Sequence, residues 1–197
     1  MYEELSQPYE YPVSIDLETA GISPNAPILS IGAVRFRKDG SPLTGPEHEF
    51  QVAIDLQGQA PIDPGTFYWW LEQSREAQDA VLEGKGGLSL GNALRALWQW
   101  LQADSHVVGR ESNFTGELWI RGDRDSCWLE EAHKREGIKP GYKFRNVRDQ
   151  RTMVEFAERR GMVMPYRSGV AHDALEDARY QAECLQEIFQ RWPEDYP

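Results

Sequence analysis

The chain has 197 residues, 40% hydrophobic and 27% charged, enough apolar material for its own core, which excludes disordered and fibrous classes. Its formal net charge of −11 excludes a protein that coats nucleic acid without selectivity, because that affinity comes mainly from Lys and Arg neutralising phosphates. MYEELSQPYEYPV has neither the basic start nor the apolar run of a signal peptide, and no segment reaches the roughly 20 apolar residues of a membrane span. One cytoplasmic domain over residues 1–197 is therefore expected, with no membrane contact. Cys127 and Cys184 lack metal-site spacing and are expected to be reduced, buried thiols.

From Tyr11 the stretch YPVSIDLETAG alternates in strand fashion, Val13, Ile15 and Leu17 on one face and Ser14, Asp16 and Glu18 on the other, until Gly21. Pro24 and Asn25 mark a turn. Ile28 to Phe36 is a second β-rich run, closed by Lys38-Asp39-Gly40, and a third strand is predicted around Glu47 to Ile54, giving an antiparallel meander. Short helices are predicted over Asp63 to Leu71 and Ser74 to Leu82, the second N-capped by Ser74. Leu90, Leu94, Leu97, Trp98 and Leu101 then recur at helical spacing. A short strand over Glu117 to Ile120 precedes a helix over Asp125 to Arg135, which Gly137 ends. A helix over Asp149 to Arg160 stops at Gly161 and Pro165. The last helix runs from Ala174 to Gln190, with Ala178, Ala182, Leu185 and Phe189 as its buried stripe. Strands first, then alternating helix and strand, predict an α/β domain with a mixed sheet.

Asp16 and Glu18 stand two apart on a strand, so both carboxylates leave the same face, and two anions held that close call for a cation. His172 stands just before a helix and Asp177 in its first turn. This pair either caps the helix and answers its dipole, or supplies a ligand and a base. Between Arg121 and Arg167 the chain holds 12 Lys and Arg against 8 Asp and Glu, either a solvated face or a phosphate-tracking surface. Arg145, Arg148, Arg151 and Arg167 are the candidates for phosphate contact. Phe67, Tyr68, Trp69 and Trp70 form the densest aromatic group; it is core, or one ring, with Trp70 as the candidate, stacks on a terminal base.

Asp16-Leu17-Glu18-Thr19 with Ile31-Gly32-Ala33, and His172-x-Ala174-x-x-Asp177, resemble the first and last motifs of the DnaQ-like DEDDh exonucleases. Within that group, Ile15 to Phe36, Trp69 to Gln78, Asn146 to Val154 and Ala174 to Gln181 resemble exonuclease VIII-type domains of phage and bacteria. The resemblance implies a ribonuclease H-like fold, a mixed central sheet flanked by helices. It implies Asp16, Glu18, Asp125 and Asp177 as metal ligands, His172 as general base, and Thr19, Trp70, Arg148 and Arg151 as substrate-binding residues. The third acidic position is a departure, because Arg124 stands where the family carries an aromatic residue. Counting back from Gly137 favours Asp125, with Asp123 as the alternative. Asp149 matches a recurrent Asp and is taken as supporting the site.

A site of four carboxylates is all-oxygen and suits hard cations, hence two Mg²⁺ or Mn²⁺ ions. The implied activity is release of nucleoside monophosphates from nucleic acid 3′ ends, with single-stranded DNA or a 3′ overhang favoured and RNA as the runner-up. A non-catalytic module on the same fold, binding a nucleic acid end or a protein, is the alternative of a different class.

Overall fold

In a computed structural model, residues 11–82, 84–103 and 114–193 are described; the acidic start, residues 1–10, lies outside them. The first strand, β1 (Val13–Thr19), is buried along its whole length, on both faces. Its apolar face, Val13, Ile15 and Leu17, belongs to the main core. Its polar face is covered as well, so Asp16 and Glu18 are only 9% and 8% exposed.

The other strands are β2 (Ile28–Arg35), β3 (Glu49–Ala53), β4 (Leu118–Ile120) and β5 (Val147–Asp149), in the order β3-β2-β1-β4-β5. The expected meander is present, β1 to β3 pairing antiparallel, while β4 pairs parallel with β1 and β5 parallel with β4. The sheet is thus mixed, and the parallel strands bring their C-terminal ends to one edge.

The helices are α1 (Pro64–Leu71), α2 (Arg75–Leu82), α3 (Leu90–Gln102), α4 (Arg124–Glu136), α5 (Gln150–Arg159) and α6 (Ala174–Arg191). Asp63 caps α1 by accepting from Thr66 N at 2.8 Å, with Pro64 at the first position, where no backbone donor is needed. In α3 and α4, Leu90, Leu94, Leu97, Leu101 and Leu129 pack on the apolar face of β1. On the other face, the α6 stripe Ala178, Ala182, Leu185 and Phe189 packs with Val34, Phe36 and Trp119. Gly32 makes this seating possible. It pairs with Asp16 across β1 and β2, and a Cβ there would overlap the Ala174 carbonyl and the Leu175 nitrogen.

Three expectations need correction. Residues 46–48 form a 3-10 turn, so the third strand begins at Glu49; Pro46 cannot donate to a ladder. The segment before α5 holds β5, absent from the predicted elements because three residues are too short to show a period; Asp149 ends β5 and caps α5. Cys184 is buried, but Cys127 is exposed, because it falls on the outward side of α4. Among the described residues, no helix is long and apolar enough to cross a membrane.

Candidate active site

The parallel edge of the sheet gathers acids from three elements. Asp16 and Glu18 come from β1 and Asp177 from the first turn of α6. Asp125 comes from the first turn of α4 and is 6% exposed. Gly122, at φ 87, makes the turn from β4 into α4, and its amide donates to Asp149 Oδ1 at 2.8 Å. Asp149 Oδ1 also accepts from Arg151 N at 3.0 Å and Oδ2 from Thr152 Oγ1 at 2.6 Å. Asp149 thus braces the turn that delivers Asp125. Asp123 is exposed on the same turn, and its side chain makes no capping bond.

Burial and mutual repulsion make these acids reluctant to ionise. Asp16 is raised well above the usual carboxylate range by burial, then by Asp125 and Glu18, while the Gln181 hydrogen bond and Arg121 oppose the shift. Glu18 is pushed up to about 8 by burial, then by Asp125 and Asp173, against Arg167. Burial pushes Asp125 up to about 7, against the Arg121 backbone amide and the Arg151 and Arg121 guanidiniums. Gln181 Nε2 donates to Asp16 Oδ1 at 2.6 Å.

His172 has φ 66 and is the only non-glycine residue with positive φ among the described residues. Such a conformation costs on the order of 1–3 kcal/mol and persists only where the surroundings enforce it. Its ring meets Trp69 edge-on at 4.7 Å and Trp70 at 6.3 Å. Burial, then the Arg167 charge, holds its pKa below the ordinary value. Asp173, not His172, caps α6, accepting from Leu175 N and Glu176 N at 3.0 Å. His172 is thereby left to face the acids. One ligand atom each from Glu18, His172 and Asp177 lies within 4.8 Å of the others.

Arg167, expected on a phosphate track, pairs instead with Asp177 and lies inside the cluster. It had no motif to mark it. Gln181 could have been found, since it lies four residues beyond Asp177 and shares its helix face. Of the aromatic group, Trp70 is core at 7% exposure, while Phe67, Tyr68 and Trp69 are exposed. The Trp70 indole donates to the Thr19 carbonyl at 3.0 Å, and the Thr19 hydroxyl donates to Gly21 O at 2.9 Å. Arg148 turns back on its own segment, donating to Arg145 O at 2.6 Å and Val147 O at 3.1 Å. Arg151 is exposed and near enough to Asp125 to favour its ionised form.

The residues present fit a divalent cation. Their donors are hard oxygens, and a cation among them would offset the burial and the repulsion that raise Asp16 and Glu18. Among the described residues, Arg167, Arg121 and Arg151 partly offset that charge.

A family model described as the 3′-5′ exoribonuclease Rv2179c-like domain matches residues 12–189. The chain belongs to this family. No curated protein matches the chain. Solved structures resemble this Rv2179c-like domain in fold. S. pombe Pop2p in its Mg²⁺- and Mn²⁺-bound form aligns with TM-score 0.61 and 15% identity over 93% of this chain and 85% of its own. The nuclease domain of 3′hExo, a DEDDh family member bound to rAMP, aligns with TM-score 0.63 and 16% identity over 93% and 94%. E. coli exonuclease I in complex with a dT13 oligonucleotide aligns with TM-score 0.69 and 12% identity. That alignment covers 95% of this chain but only 43% of exonuclease I. The Rv2179c-like domain therefore has the ribonuclease H-like fold of the DEDDh exonucleases.

Proposed function

We propose that this chain is a two-metal-ion 3′-5′ exonuclease that releases nucleoside monophosphates, with RNA as its polymer. The observation that carries this reading is the convergence of Asp16, Glu18 and Asp125, buried and mutually repelling, on Asp177 and the strained His172.

Asp16, Glu18, Asp125 and Asp177 would hold Mg²⁺ or Mn²⁺, as Pop2p holds both ions. When bound, such ions ionise a water and stabilise charge on the phosphoryl oxygens and the leaving oxygen. The chain supplies the rest. His172, kept neutral by burial and Arg167, accepts the proton of the attacking water. Gln181 holds the Asp16 carboxylate by its donated hydrogen bond. Thr19, backed from the core by the Trp70 indole, would contact a terminal nucleotide, and Arg151 and Arg148 would contact its phosphates.

The choice of RNA rests on the family description, which covers nearly the whole chain. DNA remains the second reading, favoured by the likeness of the motif segments to exonuclease VIII-type domains and by the oligodeoxynucleotide bound to exonuclease I. The test is Mn²⁺-dependent degradation of 5′- and 3′-labelled single-stranded RNA and DNA of equal sequence by wild type and His172→Ala. Stepwise shortening from the 3′ end, slowed roughly 10²- to 10⁴-fold in the variant, is expected. The polymer degraded faster is the substrate. Hydrolysis of neither with any divalent ion would overturn the reading and favour a binding module.

A further inference from the structure

An enzyme that shortens a strand from its 3′ end must also carry the undegraded remainder, and a second surface offers a place for it. Between α4 and the segment before β5 runs a groove of about 420 Å³, lined by Ser126, Glu130, Tyr142, Lys143, Phe144 and Arg145 among others. Ser126, the residue after Asp125 in the first turn of α4, is part of its wall. Val147, the first residue of β5 at an edge of the sheet, lines it as well.

The Phe144 ring is 84% exposed, an unusual position for a large apolar side chain. Its backbone is firmly held. Phe114 N donates to Gly141 O at 2.7 Å, Phe114 and Tyr142 form a β-bridge, and Asn146 Nδ2 donates to Thr115 O at 2.8 Å. Phe144 itself begins a 3-10 turn, so the ring is presented by ordered structure on both sides. Lys143 and Arg145 flank it, and residues 139–146, KPGYKFRN, contain no acid. The one carboxylate in the lining, Glu130, is paired with Lys134 at 3.0 Å.

In a chain of net charge −11, an exposed ring between two cations is local chemistry that favours a polyanion with flat faces. We infer that this groove carries the single strand upstream of the 3′-terminal nucleotides, with a base stacked on Phe144 and its phosphates beside Lys143 and Arg145. The inference rests on the exonuclease reading and adds the path of the polymer. Ring faces and cations do not read base edges, so the groove has no sequence preference.

The probes are a dinucleotide, too short to occupy the groove, and a 12-mer of the preferred polymer. Phe144→Ala lowers the 12-mer-to-dinucleotide ratio of kcat/KM by roughly five- to tenfold, in line with the loss of one stacked base. Lys143→Ala with Arg145→Ala reduces the salt slope of 12-mer binding by about 0.7 per cation removed. An unchanged ratio, or an equal fall on both substrates, overturns the inference and leaves the groove to a protein partner. If wild type hydrolyses neither probe, the exonuclease reading fails by itself. The groove is then judged by fluorescence anisotropy of a labelled 12-mer in EDTA, where undiminished affinity in Phe144→Ala overturns it and a matching loss supports it.

Discussion

Gln181 donates to Asp16 at 2.6 Å inside the protein, one helical turn beyond Asp177 on the same face of α6. A single helix therefore offers one acid and steadies another from the central strand. A donor to a carboxylate favours its ionised form, and here it works against burial and two neighbouring anions. Gln181→Leu keeps most of the volume and removes the donor. The variant should lose more activity at neutral than at alkaline pH, because Asp16 becomes harder to ionise. A pH–rate profile checks this, and a uniform loss at all pH values would refute it.

The raised acids also govern stability. Glu18 at about 8 and Asp125 at about 7 lie above their unfolded values, so the folded chain keeps protons that the unfolded chain has released. Their contribution is fully present below the ordinary carboxylate range and is lost as pH rises through about 7 to 8. Melting temperature in a chelator should fall over that window. Mn²⁺ should restore more at its alkaline end, where fewer protons must be displaced. Thermal melts with and without Mn²⁺ at both ends measure it, with Asp16→Asn as the control that loses the metal response. An equal Mn²⁺ shift at both ends would count against the acid cluster as the binding site.

Asp123 and Asp125 are two residues apart but differ in surroundings. Asp125 is buried within electrostatic reach of Asp16 and Glu18, whereas Asp123 is exposed and makes no cap bond. Asp125→Asn should abolish measurable hydrolysis and most of the Mn²⁺ shift. Asp123→Asn should leave both near wild type and change stability by less than about 0.5 kcal/mol. Paired activity assays and melts decide, and the reverse pattern would move the third ligand to Asp123.

Gly32 pairs with Asp16 and touches the start of α6. A side chain there meets backbone, which cannot rotate away. Gly32→Val should destabilise the fold by about 1–3 kcal/mol through overpacking. It should also cut activity at temperatures where the protein is still fully folded, because Asp177 and His172 move with the helix. Denaturant melts and initial rates at low temperature separate the two effects. Full activity in the folded variant would show that α6 tolerates the shift.

The meander, the α3 stripe and the α6 stripe were legible because residues two apart on a strand, or three to four apart on a helix, report their shared face locally. The ribonuclease H-like architecture was implied by the resemblance of two short motifs to those of the DEDDh exonucleases. β5 was not legible, since three half-buried residues carry no period. The exposure of Cys127 was hidden and the choice between core and stacking ring for Trp70 stayed open, because each depends on which side of its helix is covered.

By itself, the sequence determined that Asp16 and Glu18 share a strand face and that Asp177 opens a helix, relations settled within a few bonds of chain. Tertiary structure alone decided the rest. It joined Asp16 to Gln181 across 165 positions and brought Arg167 onto Asp177. It buried Asp125 and left Asp123 in solvent. Those outcomes depend on how helices seat on a sheet, and Gly32 shows how a missing side chain on one strand sets where an acid on a distant helix comes to rest.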